Sequence, residues 1–121
     1  MDKIVLGQHI LLDLYDCDIK QLGDVDQIKA CMLEAAKIAE ATIVGEFFHE
    51  FSPYGISGIV IIAESHISIH TWPERNFAAI DIFTCSDEMK YEDASQYLIK
   101  ALKARKHEIN NVKRGRFNTL D

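Results

Sequence analysis

"ISGIVIIAESHISIHTW", residues 56–72, is the stretch whose reading decides the fold. Residues 56–64 form the most apolar run in the chain and read as a central strand. Ile67 to Thr71, rich in β-branched residues, either continue that strand or pair beside it. Pro73 then ends the segment. No helical pattern interrupts these residues or separates them from "FAAIDIFTC", residues 77–85, which reads as the next strand. Strands joined without a crossover helix pair antiparallel, so most of the sheet is expected to be antiparallel.

On the N-terminal side, "TIVGEFFHEF", residues 42–51, is β-branched and aromatic and reads as a strand, with "SPYG", residues 52–55, as the turn that follows. "HILLDLYD", residues 9–16, is a further strand with Ile10, Leu12 and Leu14 on one face. Asp24 caps a helix, and Gln27 stands in capping-box position three residues on. Val25, Ile28, Met32, Ala35, Ala36 and Ala39 recur at helical spacing, which predicts an amphipathic helix over 25–41. A second helix is expected over 91–105, with Tyr91, Ala94, Leu98, Ala101 and Leu102 on its apolar face, and residues 107–113 suit a closing strand. The two halves loosely repeat a strand–helix–strand plan. The expected fold is α+β: a two-layer sandwich, mainly antiparallel sheet, with two helices on one face. The other face must meet something, and a second copy of the chain is the simplest candidate.

The 121 residues fit a single domain, 1–121, large enough to bury a core. With 13 basic and 19 acidic residues the net charge is −6, which argues against nucleic acid as the main partner. Residues 1–64 hold 4 basic and 11 acidic groups, and most of the excess base lies in residues 100–116. That segment reads as a solvated helix face and exposed strand, or as an anion site. Cys17, Cys31 and Cys85 are odd in number and form no CxxC pair, so neither a disulfide framework nor a zinc knuckle is expected. No signal peptide opens the sequence and no apolar run is long enough to span a bilayer, so no membrane partner is expected and the cytoplasm is the natural location.

The chemistry concentrates in "AESHISIHTWPE", residues 63–74. His66 and His70 suggest a metal pair, but on a strand they lie about 13 Å apart, too far for one ion. Ser65 and His70 suggest a nucleophile and base, yet no GxSxG elbow or triad acid accompanies them. Five residues apart, they point to opposite faces of a straight strand. They can cooperate only if the backbone turns at or just after Ser65 or if they meet through a neighbouring strand. A bend at Glu64–Ser65 has a consequence of its own. The serine hydroxyl can attack the preceding carbonyl carbon and convert amide to ester, helped by backbone strain. If His70 then removes the serine α-proton, β-elimination frees the Glu64 carboxylate and leaves dehydroalanine, which hydrolyses to a pyruvoyl group.

"PYGISGIVIIAESHISIHTWPE" followed by "AAIDIFTC" resembles the small bacterial and archaeal S-adenosylmethionine decarboxylases, from about Gly7 to about Arg116. The resemblance implies self-cleavage between Glu64 and Ser65 into a β chain, 1–64, and an α chain, 65–121. Ser65 would supply the pyruvoyl cofactor, which forms a Schiff base with the substrate amine and accepts the electrons left by departing CO₂. It further implies that His70 is the processing base, that Ser57 assists processing, and that Cys85 is the proton donor of decarboxylation. Phe51, Trp72 and Glu74 match positions that line the substrate site; aromatic faces suit a sulfonium cation, and a carboxylate suits ribose hydroxyls. No metal is implied. The implied assembly is a dimer of αβ pairs making decarboxylated S-adenosylmethionine for spermidine biosynthesis.

The sequence departs from the family after "TWPE", where Arg75-Asn76-Phe77 replaces a common aromatic–glycine pair. Arg75 could touch the substrate carboxylate or face water. The processing motifs would also suit a pyruvoyl-dependent arginine or ornithine decarboxylase, and an uncleaved, non-catalytic paralogue is the remaining alternative.

Overall fold

The computed structural model describes residues 3–118. In chain order these form β1 (Lys3–Tyr15), α1 (Ile19–Leu22), α2 (Val25–Ile38), β2 (Ile43–Glu50), β3 (Ile56–Ile62), β4 (Ser65–Trp72), β5 (Phe77–Thr84), α3 (Tyr91–Ala101) and β6 (Lys106–Asn118). The six strands make one sheet in the order β2-β3-β4-β5-β1-β6, and every neighbouring pair is antiparallel. Residues 56–72 therefore form a hairpin. Ile62 pairs with Ser65 across a two-residue turn, Ala63–Glu64, and the register runs on to Ser57 opposite His70.

Alternation along the strands splits the sheet into two faces. Ile10, Leu12, Leu14, Ile67, Ile69, Ile80 and Ile82 point to one face and are fully buried. They pack beneath Ile28, Met32, Ala35 and Ala36 of α2 and Ala94 and Leu98 of α3. Each such aliphatic side chain contributes about 1.5–3 kcal/mol on burial, so this face carries the stability of the fold. Among the described residues, no helix covers the other face. That face exposes Phe47, Ile61 and Trp72, and it carries the polar residues of β4. This is the α+β sandwich expected from the sequence.

The element ends differ from expectation in ways that have physical causes. β1 begins at Lys3 rather than His9, and β6 runs from 106 to 118 rather than 107 to 113. The two pair along their whole length, from Lys3 opposite Asn118 to Tyr15 opposite Lys106. All thirteen residues of β6 are exposed, so backbone pairing rather than burial defines it, and no apolar alternation marks its bounds. The helices stop early, at Ile38 and Ala101 instead of 41 and 105. Both end in Schellman caps, with Ala41 N–H donating to the Ala36 carbonyl and Ala104 N–H to the Ile99 carbonyl. The left-handed residues there are Glu40 (φ +59°) and Lys103 (φ +55°), so no glycine signals the end. A third helix, α1, is a single turn capped by Asp18 and was not expected.

Thr71 fixes the far end of β4. Its buried hydroxyl donates to the Leu22 carbonyl at 3.0 Å and accepts from the Ile56 amide at 3.0 Å, tying α1, β3 and β4 together. Valine has the same shape but would leave both backbone groups unpaired. Thr71→Val is expected to lower stability by about 1–3 kcal/mol, read as a lower urea midpoint at unchanged slope.

Candidate active site

The turn between β3 and β4 is pinned from both sides. On the β5 side, the Cys85 amide donates to the Glu64 carbonyl at 2.9 Å. On the β2 side, the Ala63 amide donates to the Thr42 carbonyl at 2.8 Å. The Thr42 amide and hydroxyl donate to the Glu64 carboxylate at 3.0 and 3.4 Å. Ser65 opens β4 with φ +155°, at the edge of the positive range that L-residues rarely enter. Its hydroxyl lies 3.6 Å from the Cys85 thiol. A serine hydroxyl, the carbonyl before it, an amide donor on that carbonyl and a thiol thus meet at one end of β4.

His70 and Ser57 meet at the other end. Ser57 Oγ and His70 Nδ1 are hydrogen bonded at 2.9 Å, across the β3–β4 register. They share a groove of about 470 Å³ on the open face with Phe47, His49, Phe51 and Ile59. Trp72 lies farther along, its ring 6.4 Å from His70 and 5.4 Å from Phe77. Glu74 follows, exposed, on a single turn, Pro73–Arg75, whose Pro73 is buried. The chain turns at Ala63–Glu64, before Ser65, and not at or just after it as expected; β4 runs unbroken from Ser65 to Trp72, so no bend brings His70 to Ser65. Five residue steps along the strand separate the two side chains, about 16 Å.

The span between the two ends is polar. His9 and Asp81 are in contact at 3.1 Å, and His66 stacks on Phe83 at 5.8 Å. Burial pushes the His66 imidazole below its ordinary pKa, His9 adds to the fall and Asp81 opposes it. Of the residues that follow "TWPE", Asn76 has a structural role. Asn76 adopts φ +53°, a conformation in which asparagine replaces glycine at low cost. Its side chain donates to the Cys17 carbonyl at 3.0 Å, and its own carbonyl accepts from the Cys17 amide at 2.9 Å. Arg75 is exposed. Phe47 and His49 were not singled out in the sequence, although they share strand parity with Phe51 and so its face.

Fold and site together define an α+β sandwich that carries a serine–thiol pair at a hairpin turn and, farther along β4 on the open sheet face, a separate serine–histidine pair in an aromatic groove. Residues 8–115 match the family model described as S-adenosylmethionine decarboxylase. The chain is 50% identical over 110 residues to the S-adenosylmethionine decarboxylase proenzyme of Thermodesulfovibrio yellowstonii, covering 91% of this chain and 82% of that one. It is 44% identical over 115 residues to the proenzyme of the same name from Pyrococcus abyssi, covering 95% and 81%. Its structure matches the crystal structure of the adenosylmethionine decarboxylase from Aquifex aeolicus with TM-score 0.86 and 39% identity, over 92% of each chain. The chain belongs to the S-adenosylmethionine decarboxylase family, whose members are carboxy-lyases.

The cysteines separate cleanly by environment. Cys17 and Cys31 are buried, and burial pushes both thiols up to about 11. Cys85 is exposed. Iodoacetamide at pH 8 is expected to modify Cys85 first, with Cys17 and Cys31 reacting only on unfolding. Peptide mapping after partial alkylation checks this.

Proposed function

We propose that the chain is a self-processing, pyruvoyl-dependent S-adenosylmethionine decarboxylase. The observation that carries the reading is the pinned turn, where the Ser65 hydroxyl stands beside a carbonyl already polarised by the Cys85 amide. In self-cleavage, Ser65 Oγ bonds to the Glu64 carbonyl carbon and the Glu64–Ser65 C–N bond breaks, giving an ester and a free amine. The Cys85 amide offsets negative charge on the carbonyl oxygen as the adduct forms. A base then removes the Ser65 α-proton, the ester Cβ–O bond breaks, and Glu64 leaves as a carboxylate. Hydration of the dehydroalanine and loss of ammonia yield a pyruvoyl group at the start of residues 65–121.

His70, paired with Ser57, is the base in this proposal, but a separation of about 16 Å excludes it from acting on Ser65 of its own chain. A second copy, packed by its open face, can present His70 and Ser57 to the Ser65 end. This supports a dimer of αβ pairs with shared sites. Exposed aromatic rings on the open face give it the apolar surface such packing needs.

Ser65 suits the pyruvoyl group: it heads a strand at the pinned turn and has a thiol within 3.6 Å. When formed, that group provides a carbonyl for the substrate amine and a sink for the electrons of the departing carboxylate. Cys85 is placed to return the proton. The groove offers Phe47 and Phe51 to a sulfonium and to adenine. Among the described residues, none that lines the groove is a carboxylate. Arginine and ornithine carry cationic side chains whose N–H donors need such a partner when desolvated, whereas a sulfonium has no donor to satisfy, so the groove suits the adenosyl substrate. Trp72 lies along the aromatic row beside His70, and Glu74 is assigned to the ribose hydroxyls. The product serves as an aminopropyl donor for spermidine in the cytoplasm.

Release of CO₂ from carboxyl-labelled S-adenosylmethionine, with arginine and ornithine left intact, is the expected result; turnover of either amino acid in its place would overturn the substrate assignment. The shared site has its own test. His70→Ala alone is expected to slow self-cleavage by at least ~10². Co-expressed with Ser65→Ala, the His70→Ala chain should be cleaved, because the Ser65→Ala copy supplies His70. No cleavage in mixed dimers would contradict sharing.

A further inference from the structure

We propose that His49 is a positioning residue of the substrate groove, bracing Phe51 so that its ring presents a fixed aromatic wall. The inference rests on the decarboxylase reading above and adds a residue to it. Phe51 lies just beyond the last residue of β2, where the chain enters the Ser52–Gly55 turn. Its amide donates to the Gly55 carbonyl at 2.8 Å, which fixes the backbone but not the ring. The ring is half-exposed, and it meets His49 edge-on, with centroids 4.6 Å apart and planes at 75°. His49 itself is held on the regular strand, directly opposite Ser57 in the β2–β3 register.

Ser57 therefore lies between two imidazoles, one on each neighbouring strand. Its hydroxyl is bonded to His70, while His49 is turned to the Phe51 ring. The two histidines divide the work of the row. His70 is engaged in a polar pair suited to proton transfer. His49 makes the ring contact that sets the plane of Phe51. Edge-to-face packing holds a ring without covering all of its surface, so Phe51 stays open to the groove. An aromatic face attracts a cation only along its normal, so a ring free to swing would lose part of that attraction.

The test is a mutant cycle read in steady-state kinetics on the cleaved enzyme. His49→Ala is expected to raise KM for S-adenosylmethionine roughly three- to tenfold, the range for loss of one aromatic pair. The value of kcat should change by less than about twofold, as expected for lost ground-state and transition-state binding alike. His49→Phe, which keeps an aromatic edge, should restore KM. In a Phe51→Leu background, His49→Ala should add nothing, because the ring it braces is gone. An unchanged KM in His49→Ala, the same KM increase with and without Phe51, or a loss confined to kcat or to self-cleavage would overturn the role. If the cleaved wild-type enzyme leaves S-adenosylmethionine intact, the decarboxylase reading fails first, and the proposal with it.

Discussion

The hydrogen bond from the Cys85 amide to the Glu64 carbonyl, at 2.9 Å, is the constraint on which the rest of the site depends. It ties the end of β5 to the turn between β3 and β4. It thereby sets where the Ser65 hydroxyl lies, how near the Cys85 thiol stands, and which carbonyl is polarised. Cross-strand pairing supplies the rest, since Ser65 is opposite both Ile62 and Thr84. The turn has only two residues, so it cannot shift without breaking this register. The helix face supplies the rigidity, because Ile67 and Ile69, which follow Ser65 on β4, are fully buried. A bond that the fold holds so closely is also a bond whose chemistry the fold can direct.

The same rigidity separates the functional groups. A strand paired on both sides keeps Ser65 and His70 far apart, and no rotamer spans about 16 Å. The helices occupy only one side of the sheet, so the other side is free to receive a second copy. With two-fold symmetry, the His70 end of one sheet and the Ser65 end of the other can face each other. The open face thus links two facts that are separate in a single chain: a sheet with one uncovered face, and a site whose parts do not meet.

Much of this was legible in the residues. Burial requires Ile10, Leu12 and Leu14 to alternate and Ile28, Met32 and Ala35 to recur at helical spacing, so those elements announce themselves. The ends did not. Glu40 and Lys103 occupy positions where glycine is the usual signal, and β6 is held by backbone pairing that leaves no apolar pattern. Parity showed that Ser65 and His70 cannot share a strand face, but it could not say whether a bend would join them. That depended on whether residues 56–72 form one strand or two, and the turn at Ala63–Glu64 contains neither glycine nor asparagine. The family motif singled out Phe51, whereas Phe47 and His49 required the strand alternation to be followed along "EFFHEF". Asn76 was read as a departure, and its left-handed backbone shows why asparagine can stand there.

The central claim is that the chain breaks its own Glu64–Ser65 bond, and intact mass spectrometry of the purified protein tests it most directly. The account predicts two species, residues 1–64 ending in a free Glu64 carboxylate and residues 65–121 beginning with a pyruvoyl group in place of Ser65. A single uncleaved 13.8 kDa chain after prolonged incubation, or fragments meeting at any other bond, would contradict it.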